Sequence, residues 1–392
     1  MAGSVVAAPK NDDFHPHPVK DQLPGVDYCV TSCPNWRAYF NLSSLCMRIL
    51  AFYTSSLFFP SACVKFYVFG SEIDDCNAAE AIILGFQHYV VMLGMTVIIP
   101  SLLVPLMGGG NVEKAQVIQT LLFVTGLNTL LQSLFGTRLP VVMGGSLTYI
   151  IPTTAIIFAN RYSFIIDPHQ RFLRTMRGIQ GAFIAASLFQ ILIGFLGFWR
   201  NMIWSLSPLS AIPLVTLAGL GLYRLGFPIL AQCVEIGLPE LILLLLISQY
   251  LPRLITSRKS IFERLAVLLS VAIVWVYAHI LTAAGAYKNK SPKTQFSCRT
   301  DRSGLLAAAP WVRVPYPFQW GAPTFEAGEV FAMMAASFVS LIESTGTFIA
   351  ASRYGSATHI PPSVLSRGVG WQGMGTLLNG FFGTVTGSAV SV

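Results

Sequence analysis

The stretch from Glu329 to Arg353, EVFAMMAASFVSLIESTGTFIAASR, is almost wholly apolar and long enough to cross a bilayer core as one helix. One acid, Glu343, sits in its middle. At about 100° per residue, Ala336, Ser340, Glu343, Ser344 and Thr347 share a small, polar face, with Phe331, Phe338, Ile342 and Ile349 opposite. A carboxylate against hydrocarbon is costly, so Glu343 is expected to look into a protein-lined or wet cavity. The competing reading is a carboxylate that only ties helices together. The small neighbours leave room for something to bind and favour the cavity.

Composition supports this setting. Hydrophobic residues make up 54% of the 392 and charged residues 11%. Globular chains carry about a quarter charged residues, so the composition indicates a polytopic membrane protein with roughly eight to ten spans. The net charge of +8 sits in loops between spans, and no basic cluster interleaves with aromatics, which argues against nucleic acid. The seven cysteines lack metal-ligand spacing, so no metal site or cofactor is expected. No nucleophile–base pair stands out, and an enzyme is the least favoured class.

In chain order, residues 1–37 are polar and proline-bearing and read as a cytoplasmic tail. Residues 38–79 are apolar but interrupted by Arg48, Pro60 and Lys65; they look like an insertion with at most one extra hydrophobic segment. Spans one to four fall within 80–200. The first, Ala81–Pro105, carries Gln87 and His88 near its middle, and the second runs Lys114–Phe135. The third is broken. Gly144-Gly145-Ser146 leads into β-prone Leu147-Thr148-Tyr149-Ile150 and then Pro152, an extended piece feeding a half-helix. In a bilayer such backbone survives only where it is buried or lines a cavity, and broken segments point to a transporter's binding site. A basic loop (Arg161, Arg171, Arg174, Arg177) precedes the fourth span, Gly178–Trp199. Spans five to seven fall within 201–285, with Pro239-Glu240 suited to the start of the sixth. A polar loop over 286–328 is expected outside. Spans eight and nine and the start of a tenth fill 329–392, with the ninth at Val369–Phe382. The closing GTVTGSAVSV echoes VVMGGSLTYI, each a Gly/Ser-rich extended piece after a helix pair. The echo suggests two repeats, the second incomplete. With an inside N-terminus most basic residues fall inside, but the 161–177 cluster falls outside, against the positive-inside rule.

The segments LGFQHYVVMLGMTVIIPSLLVPLMGGG, TRLPVVMGGSLTYIIPTT, SPLSAIPLVTLAGLGLY, VPYPFQWGAPTF and SFVSLIESTGTFIAASRYGSATHIPPSVLSRGVGWQGMG together resemble the nucleobase–ascorbate transporter family, the nucleobase–cation symporter-2 group, in its plant form. The resemblance covers residues 1 to about 36 and 80–392. It implies an all-α polytopic fold of inverted seven-span repeats, with short strands in broken spans three and ten and with core and gate domains. It makes Gln87-His88 the family's glutamine–histidine pair, Glu343 the substrate-binding glutamate, and Tyr149 a strand position whose backbone meets the base. It further implies a homodimer for the full-length form and the plasma membrane as location. Two departures stand out. Residues 37–79 have no family counterpart, and Gly383-Thr384-Val385-Thr386-Gly387 stands where the family usually reads GTGNG. The signature motif of span ten would begin immediately after Val392.

The expected function is secondary transport of nucleobases such as xanthine, uric acid or uracil, by proton symport. The alternative is a non-transporting truncated fragment that is inactive or perturbs full-length homologues. Glu343, Tyr149, Phe86, Ser146 and Thr347 are the expected substrate contacts, and His88, Glu343 and Gln87 the proton-coupling set. For His88 a helix-packing role is the competing reading, and His279 reads as packing.

Overall fold

The computed structural model describes residues 78–139, 141–203, 230–254, 265–301, 313–354 and 360–391, with Pro310 and scattered positions between 216 and 228. The expectations for residues 1–77, and for most of the fifth span, lie outside the described residues. Helix α1 runs Ala78–Met107 and α2 Asn111–Leu134. Strand β1, Val142–Gly145, passes through a single 3-10 turn, Leu147–Tyr149, into the half-helix α3, Ile150–Ile157. Next come α4, Pro168–Phe195; α5, Val234–Leu245, extended by a wide turn to Tyr250; and α6, Ala266–Ala283. Helix α7, Ala327–Tyr354, holds the Glu343 stretch, and α8, Pro362–Phe382, leads to β2, Ser388–Ser391. Among the described residues, five helical stretches are long and apolar enough to cross a bilayer.

Three helix starts differ from the sequence expectation. Helix α4 begins at Pro168, not Gly178, because Asp167 accepts a hydrogen bond from the His169 N–H at 3.1 Å and Pro168 takes the first helical position. Helix α8 begins at Pro362, not Val369. Helix α5 begins at Val234 and passes through Pro239 instead of starting there. The misleading signal in the first two cases was arginine. Arg171 and Arg367 read as loop charges, yet each lies on a helix and serves the end of another. Arg171 Nε donates to the carbonyl of Met107, the last residue of α1, at 3.2 Å, and Arg367 Nε to that of Gly136, just past α2, at 3.0 Å. The final carbonyls of a helix lack partners within it, and cations there also meet the negative end of the dipole.

The broken segments meet. Strands β1 and β2 pair antiparallel, with Val142 opposite Ser391 and Gly145 opposite Ser388. The crossing depends on missing side chains: a Cβ on Gly145 would lie 2.7 Å from the Thr386 methyl, and one on Gly387 2.7 Å from the Tyr149 ring. Around this pair the helices pack closely. Against α4, a Cβ on Gly373 would stand 2.8 Å from the Ile191 nitrogen, and one on Gly380 2.8 Å from Ile184. Small residues at helix contacts are how membrane helices gain close dispersion contact without a hydrophobic drive.

The connection between α6 and α7 is fastened at both ends. Cys298 is disulfide-bonded to Cys233, just before α5. Further on, the Phe318 N–H donates to Phe381 O at 2.7 Å and Trp320 Nε1 to Gly383 O at 2.9 Å, closing over the end of α8. Spacing gave no hint of the disulfide, since 65 residues separate the two cysteines and only the tertiary fold joins them.

Gly194→Ala would put a methyl 2.2 Å from the Gly370 nitrogen in the α4–α8 contact, whereas Gly346→Ala meets nothing within 4 Å. The first should lower thermal stability in detergent, with overpacking of this kind costing about 1–3 kcal/mol. The second should leave the melting temperature unchanged or slightly raised. Fluorescence-detected size exclusion after heating distinguishes them.

Candidate functional site

Glu343 lies on α7 where the helix faces the broken segment. Its face divides by burial: Ser340 and Ser344 are fully buried, whereas Glu343 is exposed. Ser344 is spent on strand β2, accepting from the Val390 N–H at 3.1 Å. Ser340 accepts from Gln372 Nε2 at 3.0 Å. The opposite face carries exposed Phe331 and Ile349, as an outward apolar surface requires.

Two hydroxyls reach the carboxylate. Thr148 Oγ1 donates to Glu343 Oε2 at 2.8 Å, and Ser146 Oγ to the same oxygen at 3.3 Å. The local fold aims both. Ser146 Oγ also accepts from the Thr148 N–H at 3.2 Å, and this closes the 3-10 turn and turns the Ser and Thr hydroxyls towards the same side. Thr148 was missed as a side-chain contact from sequence. The signal was present, a Ser-x-Thr pair at the end of a Gly-Gly break, but its β-prone neighbours suggested alternation of faces. The same hydrogen bond explains why the strand stops at Gly145 and does not run on through Tyr149.

The other expected residues fall as follows. Thr347 sits one turn beyond Glu343 and its hydroxyl is held by the Glu343 carbonyl at 2.9 Å. The Tyr149 ring is fully buried, edge-on to Phe183 at 5.4 Å between ring centres, with its hydroxyl 3.3 Å from Gln190 Nε2. It therefore presents no face to a ligand. The Ser146 backbone is also engaged, its N–H with Gly387 O at 3.2 Å and its carbonyl with Thr386 Oγ1 at 2.8 Å. The opposite broken segment takes these backbone groups, because unpaired backbone in a bilayer is costly, which leaves the Ser146 hydroxyl on the Glu343 side. Phe86 lies on α1, partly exposed, beside Tyr89 at 6.4 Å. The side chains of Gln87 and His88 lie outside the described residues, although α1 runs through both. Further along α1, Met92 approaches Gly144, placing that helix along β1.

At the start of α7, Arg161 bridges Glu326 at 3.0 Å and Glu329 at 2.7 Å and lies over the Tyr162 ring. Burial, and then the nearby Glu329 charge, push the Tyr162 phenol up to about 12, so it stays neutral.

An apolar chain of this build, with an inward carboxylate seated on a broken helix whose strand pairs with a second broken segment, is a multi-pass membrane protein of the permease class. The permease family model matches residues 79–392. Nucleobase-ascorbate transporter 7 of Arabidopsis thaliana is 60% identical over 388 residues, 99% of this chain and 64% of its own length. Nucleobase-ascorbate transporter 4 of the same plant is 58% identical, over 98% of this chain and 65% of its own. Nucleobase-ascorbate transporter LPE1 of Zea mays is 51% identical, also over 98% and 65%. The chain belongs to the nucleobase–ascorbate transporter family in its plant form, and it spans about two thirds of the length of these relatives.

The burial pattern on α7 predicts an alternation in reactivity. Cysteine in place of Glu343 should react with a small water-soluble thiol reagent in membranes. Cysteine in place of Ser340 or Ser344 should not, once the parent chain's labelling is subtracted. Equal labelling of all three would mean that α7 is rotated from this placement.

Proposed function

We propose that this protein, at the length of its relatives, moves nucleobases such as xanthine, uric acid or uracil across a membrane by proton symport. The observation that carries the reading is the Glu343 carboxylate, exposed and held by the Thr148 and Ser146 hydroxyls of a broken helix. A nucleobase edge presents adjacent N–H donors and carbonyl acceptors. An ionised carboxylate accepts two such N–H groups, and charge-assisted hydrogen bonds are the stronger kind. The two hydroxyls, which can donate or accept, suit the ring's remaining edge. Because Thr386 and Gly387 already occupy the Ser146 backbone, the ring is read by side chains on this side of the site.

Proton coupling follows from the same group. Protonating Glu343 removes one acceptor and one charge together, so proton and base occupancy are linked at a single atom pair. Gln87 and His88 complete the coupling set in this reading, with the imidazole's charge changing near neutral pH. Thr347 and Phe86 form the edges of the pocket. The succession of helix pair and broken segment occurs in α1–α2–β1 and again in α7–α8–β2, and the antiparallel pairing of β1 with β2 is what inverted repeats would produce. The helices α1–α4 with α7 and α8 then form the moving core, and α5 and α6 belong to the gate. The homodimer and the plasma membrane remain part of this proposal.

Sidedness gains support from two features. The Cys233–Cys298 disulfide suits an oxidising compartment, which supports an outside position for the 286–328 loop. Three of the four arginines of the basic cluster on that face are already paired: Arg161 with two glutamates, Arg171 with Met107 O and Arg177 with Trp320 O. Arginines engaged in this way weaken the objection from the positive-inside rule.

Uptake of radiolabelled xanthine and uracil is the test, in cells expressing the chain continued with the sequence of the 60%-identical relative beyond the matched region. Glu343→Gln should reduce uptake by at least about tenfold, the loss of one charge-assisted hydrogen bond, and flatten its pH dependence. Unchanged affinity and pH profile would remove Glu343 from the mechanism. Cys233→Ser should expose Cys298 to a membrane-impermeant maleimide added to intact cells. Labelling only after the cells are opened would place the loop inside.

A further inference from the structure

The two hydroxyls that hold Glu343 are positioned by a residue that touches neither the carboxylate nor the open space. Thr386, fully buried, precedes β2. Its hydroxyl donates to the Ser146 carbonyl at 2.8 Å, across the gap between the broken segments. The next residue's carbonyl, that of Gly387, accepts from the Ser146 N–H at 3.2 Å. Ser146 is thus gripped on both sides of its peptide by one dipeptide of the opposite segment. Thr386 is itself fixed, since its carbonyl accepts from Thr384 Oγ1 at 2.8 Å. Its methyl fills the space that bare Gly145 leaves.

The grip is anchored one residue further on. Ser388 Oγ accepts from Asn128 Nδ2 of α2 and from Asn379 Nδ2 of α8, both at 2.7 Å, and Ser388 O accepts from Gln372 Nε2 at 3.1 Å. Three buried amides from two helices converge on this residue. Residues 386–388 are therefore held by the helices at one end and hold Ser146 at the other. Any shift in Ser146 moves its Oγ, which both contacts Glu343 and closes the turn that aims Thr148.

We propose that Thr386 is a positioning residue of the Glu343 site, setting through the Ser146 carbonyl the hydroxyl pair that orients the carboxylate for a base. The proposal rests on the transport reading for its ligand but not for its geometry, and the experiment separates the two. Thr386→Val keeps the shape and loses the hydroxyl; Thr386→Ser keeps the hydroxyl and loses the methyl. Each is made in the relative-extended chain, alone and with Thr148→Cys. Folding is monitored by detergent melting temperature. The readouts are xanthine uptake, resolved into KM and maximal rate, and the rate at which the thiol introduced by Thr148→Cys reacts with a small water-soluble reagent.

The expected result is a KM raised about fivefold to tenfold in Thr386→Val, the worth of one buried hydrogen bond, with maximal rate less affected and Thr386→Ser near the parent. The labelling rate of the introduced thiol should change in the Val background and return with Ser. If Val and Ser both match the parent in KM and in labelling, the proposal fails. If both variants lose stability and activity alike, Thr386 is a packing residue and the proposal also fails. If the parent takes up no base while labelling still follows Val against Ser, the positioning stands and the substrate assignment is what falls.

Discussion

The antiparallel pairing of two interrupted segments is the constraint on which the rest of this structure depends. A helix that breaks inside a membrane releases backbone donors and acceptors with no water to take them. Here β1 and β2 take one another's groups, from Val142 opposite Ser391 to Gly145 opposite Ser388. The pairing continues past the last ladder position into Ser146, whose N–H and carbonyl are taken by Gly387 and Thr386. Two helices can therefore stop in the interior of the protein, and the space beyond their ends becomes available to polar chemistry. The glycines at the crossing follow from the same requirement, because Gly145 and Gly387 each stand where a Cβ would collide with the other segment or with Tyr149.

Polar groups elsewhere in the interior serve this pairing more than they serve a ligand. Buried amides of Asn128, Asn379 and Gln372 all end on Ser388, and Gln190 ends on the Tyr149 hydroxyl and the Ser337 carbonyl. Arg171 and Arg367 end on carbonyls at the ends of α1 and α2. A chain with so few charged residues places several of them where a helix or strand terminates. Buried polar groups cost free energy unless they are paired, so their placement follows the backbone's unmet valences.

That rule explains what could be read from sequence and what could not. Glu343 was legible because a lone acid in an apolar run has few acceptable surroundings. The break at Gly144-Gly145-Ser146 was legible because glycines and a following proline mark the end of regular helix. The helix starts at Pro168 and Pro362 were obscured because arginine in sequence looks like solvent exposure, whereas Arg367 is buried and bonded to Gly136. The direction of the Tyr149 ring was hidden for a related reason. Its position beside the break is near the site, but its ring direction is set by the 3-10 turn that Ser146 closes, a choice made by one side-chain hydrogen bond. Thr148 was overlooked for the same reason, since the turn that buries Tyr149 also brings the Thr148 hydroxyl to the carboxylate. Contacts that join residues far apart, such as Cys233 with Cys298, leave no periodic trace.

A site assembled in this way has a particular mechanical character. Its acid comes from a continuous helix, α7, while its hydroxyls come from a short turn whose position is borrowed from another broken segment. The helix is stiff along its length and is pinned at its start by Arg161 against Glu326 and Glu329. The turn has no such stiffness of its own, as α3 beyond it covers only Ile150–Ile157. The geometry between carboxylate and hydroxyls therefore depends on the bonds joining Ser146 to Thr386 and Gly387. Those bonds tie the acid's orientation to the packing of α2 and α8, which supply the amides on Ser388. A continuous chain of hydrogen bonds thus links α2 and α8 through residues 386–388 and Ser146 to the Glu343 carboxylate.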